Sequence, residues 1–242
     1  MERIFGLEIP LSLSEVCHPQ RTAVVVYDMQ VGIVSQVPTA SAIVERIRRI
    51  LDAARHGGYR IFFTRHMSLP KEIAGVSQLR TAMAWQRVTH VDEVKPAFPR
   101  DSPQFQIAPA LTPRPEEAIF DKITMSAFVG TPLNLAFRDC GINSFVIAGI
   151  AMEVGIEPTV RHGTDLGYIP VLIADACGHG NASAAERSLA SLEFAGGSLQ
   201  TDTATILPLL KAGCSRDVVF TAPSAAPVSL ENTPPAKAST RA

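Results

Sequence analysis

The stretch Ile147–Gly163, IAGIAMEVGIEPTVRHG, reads as the end of a buried strand, a tight turn and the start of a helix. Gly155 stands where the turn enters the helix, a place where many α/β enzymes carry a nucleophile. The segment before it, Ser144 to Gly149 (SFVIAG), is a continuous apolar run, and the segment after it predicts a helix from about Glu153 to Leu166.

Working outward, the same unit recurs. Thr22 to Tyr27 (TAVVVY) is β-branched without alternation, which suits a strand covered on both faces. Ile43, Ile47, Ile50, Leu51 and Ala54 share a helical face, closed by Gly57 and Gly58. Strands are predicted at Tyr59 to Thr64, Glu117 to Lys122, Tyr168 to Asp175 and Ser198 to Thr203, and helices at Thr131 to Cys140 and Ala182 to Ala195. Between Arg65 and Glu116 proline is frequent and periodicity weak, so a long loop region is expected with one short helix around Gln78 to Gln86.

Strands alternating with helices give a three-layer α/β/α fold around a six-stranded, mostly parallel sheet. The chain of 242 residues divides into an N-terminal segment (1–20), one domain (21–221) and a tail (222–242), rich in Pro, Ala and Ser, expected to be disordered. Net charge is −1 and the pI about 6.6, which argues against nucleic acid and anionic membrane as partners. The apolar runs fall short of a membrane span. Cys17, Cys140, Cys177 and Cys214 lack the close spacing of zinc or redox pairs, and the start MERIF is unlike a signal peptide, so a cytoplasmic location is expected.

In parallel sheets ligands gather beyond the carboxyl ends of the strands. Three positions answer to that rule: Asp28 after VVVY, Lys122 after AIFD, and Gly155. A carboxylate and an ammonium raised from adjacent strand ends would meet in one cleft. A strand-end Asp serves equally well as a helix cap or one half of a structural ion pair, and Gly155 could answer only a need for close packing or positive φ.

The segments VVVYDMQ, DKITMSAFVGTPL and IAGIAMEVGIEPTVRHGTDLGYIPVLIADAC resemble, in order and spacing, the isochorismatase-like (cysteine hydrolase) superfamily over about Thr22 to Thr205. The resemblance implies that Asp28 of the DMQ motif is the acid/base and Lys122 of K-x-x-x-S-A-F its partner. The nucleophilic cysteine of the amidase branch maps to Gly155, which has no side chain to attack with. The resemblance further implies a cis peptide between Ile150 and Ala151, with backbone N–H groups of Ala151 and Gly155 forming an oxyanion hole. Glycine would leave room where sulfur would sit. Isochorismatases also carry glycine here and act on a vinyl ether, but the turn AMEVGIEPTVRHG is nearer in style to the amidases.

The reading is a hydrolase acting on a small polar or carboxylated molecule through Asp28 and Lys122 without a cysteine. The alternatives are an amide, carbamate or ureido hydrolase whose cysteine has been replaced, and a silent ligand-binding homologue. Trp85, Phe128, Arg65, His66 and Glu153 are candidate substrate contacts; no metal and no cofactor are expected. Arg161 and His162 are read as a solvated or subunit-contacting face. The resemblance also implies a homo-oligomer.

Overall fold

The structure, a computed structural model, describes residues 1–213; the expected tail at 222–242 and Cys214 lie outside them. An exposed hairpin, β1 (Glu2–Ile4) and β2 (Leu7–Ile9), and a short helix α1 (Leu13–Val16) precede the first buried strand β3 (Thr22–Tyr27). Then follow α2 (Val31–Val34), α3 (Ala40–Gly57), β4 (Arg60–His66), α4 (Val76–Gln86), β5 (Ala118–Lys122), α5 (Leu133–Asp139) and β6 (Ser144–Ile150). The described chain closes with α6 (Glu157–Asp165), β7 (Ile169–Gly178), α7 (Ala182–Ala195), β8 (Leu199–Thr201) and α8 (Thr203–Ala212).

The six strands β3 to β8 form one parallel sheet in the order β5-β4-β3-β6-β7-β8. The chain winds outward from β3 to β5, then returns to the centre and winds the other way, so the switch point lies between β3 and β6. Strand alternation splits the core into two layers. Val24, Val26, Phe63 and Val146 pack on α3 and α8, while Val25, Tyr27, Phe62, Phe145 and Ile147 pack against α5, α6 and α7. Tyr27 therefore faces the layer that holds the turn after β6.

The structure differs from the sequence expectation at several points. Asp28 and Lys122 come from strands that are not adjacent, because β4 lies between β3 and β5. Strand β7 runs on to Gly178, which puts Cys177 inside it rather than after it. The long helix expected from Glu153 opens as a wide π-helical turn, Met152–Ile156, before α6 begins at Glu157. Helix α8 was not expected; its start is marked by Asp202, whose carboxylate accepts from the Thr205 N–H at 2.7 Å. No helix of the described residues is long and apolar enough to cross a membrane.

Helix α8 lies so close to the end of α3 that a Cβ on Gly57 would collide with the Leu210 carbonyl oxygen and fall 3.2 Å from its carbon. At an open helix position Gly→Ala stabilises by about 0.5–1 kcal/mol. Here overpacking reverses the sign, and Gly57→Ala is expected to lose about 1–3 kcal/mol in urea denaturation. A gain would contradict the docking of α8 on α3.

Candidate active site

At the end of β3 the backbone turns sharply, and Asp28 adopts φ 48°, in the left-handed region that few side chains tolerate. Thr64 on β4 offsets that cost. Its hydroxyl accepts from the Asp28 N–H at 3.2 Å and donates to Asp28 Oδ1 at 2.6 Å. The other oxygen, Oδ2, accepts from Lys122 Nζ at 2.6 Å. Gln30 ties the neighbouring loops to the same corner: its amide donates to the carbonyls of His66 and Phe105 and accepts from the His66 N–H.

Lys122 has three N–H groups, and all are used within the protein. They go to Asp28 Oδ2, to Tyr27 Oη at 2.8 Å and to the Thr124 carbonyl at 3.1 Å. Its side chain is fully buried, and the ammonium lies 4.3 Å from the centre of the Tyr27 ring. Burial pushes the lysine pKa down, and Asp28 pulls it back up. Burial, reinforced by Asp28, pushes the Tyr27 phenol well above its ordinary value. Its hydroxyl donates to the Met125 carbonyl.

The turn after β6 contains the cis peptide between Ile150 and Ala151. The N–H groups of Val154, Gly155 and Ile156 all converge on the Ala151 carbonyl, at 3.4, 3.1 and 3.2 Å. The Gly155 amide, expected to point at substrate, is thus engaged inside the wide turn. Nor is there vacant room beside Gly155. A Cβ there would lie 2.6 Å from Tyr27 Cε1 and closer still to Cζ and Oη, so the phenol fills the volume a side chain would need.

These groups form the floor of a cleft of about 730 Å³. Asp28, Tyr27, Ala151 and Gly155 line it, as do two of the expected contacts, His66 and Trp85. Trp85 is 56% exposed on α4, an aromatic wall on the long insertion. His66 is partly buried, and desolvation followed by the Lys122 charge lowers its pKa. Lys122 does not line the cleft; it lies behind Asp28 and Tyr27, so the two charges touch beneath the cleft rather than face each other across it.

The other three expected contacts are engaged elsewhere. Phe128 is buried in an aromatic cluster with Phe137, Phe145 and Tyr168, because Ala127 N–H donates to Thr159 on α6 and draws the SAF segment into the core. Arg65 pairs with Asp121 at 2.7 Å and covers the Phe105 ring. Glu153 Oε1 accepts from the N–H groups of Gly180 and Asn181, ahead of α7. His162 is not a solvated face: its Nδ1 lies 3.0 Å from Ser126 Oγ, and its ring contacts Phe128. Of the thiols, Cys177 donates to the Ile173 carbonyl with its pKa pushed up to about 12 by burial, and Cys17 rises to about 11 for the same reason.

The chain matches the isochorismatase domain over residues 22–204. Among curated proteins it is similar to the ureidoacrylate amidohydrolase RutB of Acinetobacter baylyi, 26% identical over 174 residues that cover 66% of this chain and 71% of that protein. It is also similar to the ureidoacrylate amidohydrolase RutB of Methylorubrum extorquens strain DM4, 28% identical over 145 residues, 58% of each chain. Among solved structures it superposes on a cysteine hydrolase from Pseudomonas syringae pv. phaseolicola with a TM-score of 0.69 at 25% identity, covering 81% of this chain and 94% of that one. N-carbamoylsarcosine amidase from Thermoplasma acidophilum shares the fold, with a TM-score of 0.62 at 16% identity over 76% of this chain and 96% of that one.

Removing one member of a buried ion pair leaves the other without a counter-charge. Lys122→Met is therefore expected to cost about 3–5 kcal/mol in urea denaturation at pH 7. A loss below about 1 kcal/mol, the range of an exposed pair, would contradict a buried ammonium at this position.

Proposed function

The chain is a hydrolase of the isochorismatase family, and from the groups gathered at its cleft we propose that it hydrolyses a small polar or carboxylated molecule without a protein nucleophile, Asp28 acting as base toward water. The observation that carries this reading is the Asp28 carboxylate at the cleft floor, held by Lys122 at 2.6 Å, with no thiol among the residues lining that cleft. An ammonium and a hydroxyl both donate hydrogens to the Asp28 oxygens. A base that takes a proton from water suits that setting better than an acid that protonates an enol ether.

In the proposed step a water beside Asp28 gives up a proton to the carboxylate as its oxygen bonds to the electrophilic carbon. The Ala151 N–H, which has no acceptor among the described residues, polarises the substrate oxygen. Lys122 acts from behind, as the charge that keeps Asp28 and Tyr27 in place. Ile33, Val154 and Trp85 supply apolar walls, and Lys71 and Lys95 line the same cleft with no anionic partner among the described residues, which suits a carboxylated ligand.

A second reading, hydrolysis of an amide, carbamate or ureido C–N bond by the same water, is favoured by the curated relatives, which are named as ureidoacrylate amidohydrolases. Both readings rest on Asp28. A panel of ureido acids, N-carbamoyl amino acids and carboxylated enol ethers identifies the bond cleaved, and Asp28→Asn is expected to lower kcat on the best of them by about 10²–10⁴-fold. Undiminished kcat in the folded variant would refute the base.

A further inference from the structure

We infer that Tyr27 and Gly155 are a size-matched pair that decides which atom attacks in this cleft: the phenol occupies the volume a thiolate at position 155 would need, committing the site to water. The assignment to water rests on the reading above; the volume relation stands by itself.

Three observations carry it. Gly155 is absent from the glycines with positive φ, so backbone conformation does not demand glycine there. What would meet a side chain is a single group, since the three atoms nearest to an added Cβ all belong to the Tyr27 phenol. That ring is held in place: Tyr27 is 1% exposed, its hydroxyl is held between Lys122 and the Met125 carbonyl, and its backbone pairs with Gly149 on β6. Any residue larger than glycine at 155 must displace a packed aromatic side chain and break the hydrogen bonds that steady Lys122.

The converse also follows. Tyr27 Oη lies 2.8 Å from Lys122 Nζ, so removing the phenol opens a space directly beside an ammonium. A sulfur placed there has a neighbouring positive charge, which favours the thiolate, and Asp28 within the same group to receive its proton. With p-nitrophenyl acetate as a probe, the thiol proton passes to Asp28, the S–C bond forms, and the ester C–O bond breaks to release p-nitrophenolate. Water then cleaves the acetyl thioester and regenerates the thiol.

Four proteins test the pairing: the parent, Gly155→Cys, Tyr27→Val, and the double variant. Gly155→Cys alone is expected to melt several degrees below the parent and to show no p-nitrophenolate burst. The double variant is expected to melt above Gly155→Cys, to be carbamidomethylated by iodoacetamide at position 155 by peptide mapping, and to give a burst approaching one equivalent. Should the double variant not fold, the cycle of Gly155→Ala with and without Tyr27→Val reads the volume relation alone, since alanine brings no chemistry. A Gly155→Cys protein that melts with the parent and reacts as fast as the double variant would overturn the pairing, as would additive melting shifts or a folded double variant with an unreactive thiol. None of these readouts uses the native substrate, so they fail or succeed independently of the Asp28 base.

Discussion

The ion pair between Asp28 and Lys122 is the constraint on which the site depends. Two opposite charges are withdrawn from water at the centre of a sheet, and such a pair is tolerated only if the geometry is close and every remaining donor finds an acceptor. The structure meets that demand with residues from four places. Thr64 from the intervening strand bridges the Asp28 amide and carboxylate, Tyr27 and the Thr124 carbonyl take the other two lysine hydrogens, and Gln30 ties the loop carrying Phe105 to the end of β4. The sheet order β5-β4-β3 makes this possible, because the ammonium reaches past one strand end to find its partner.

The same arrangement directs the chemistry. With its three hydrogens engaged and its side chain sealed from the cleft, Lys122 has no hydrogen left over for substrate unless it releases a partner. Its contribution is a charge that orients the carboxylate above it. Asp28 and Ala151 line the cleft floor, and in the proposed step the carboxylate acts toward water and the Ala151 amide toward a substrate oxygen. The Tyr27 phenol fills the space beside Gly155 and also steadies the ammonium, so one side chain ties the turn after β6 to the upkeep of the ion pair.

Much of this was legible in the sequence where the signal is local. Unbroken apolar runs mark the central strands β3 and β6, buried throughout, and all six strands were found within a few residues of their ends. Asp28, His66 and Trp85 were legible as cleft residues because strand termini and a proline-rich insertion are where parallel sheets build their sites. The rest depends on contacts that no local pattern encodes. Tyr27 meets Gly155 across 128 positions, and a tyrosine ending the run VVVY reads as one more core residue until the turn is laid against it. Phe128 was misplaced for the same reason: its motif is drawn into the core by Thr159 on a helix later in the chain. Helix α8 was missed because residues 203–212 combine a modest apolar face with an internal proline, Pro208, that reads as a breaker.

The central claim is that hydrolysis in this cleft proceeds without a sulfur of the protein, and it is tested most directly by turnover in a chain with Cys17, Cys140, Cys177 and Cys214 all replaced by alanine. The account predicts kcat within about threefold of the parent on the same substrate, since no thiolate takes part in the reaction. A folded, cysteine-free protein with turnover at background would contradict it.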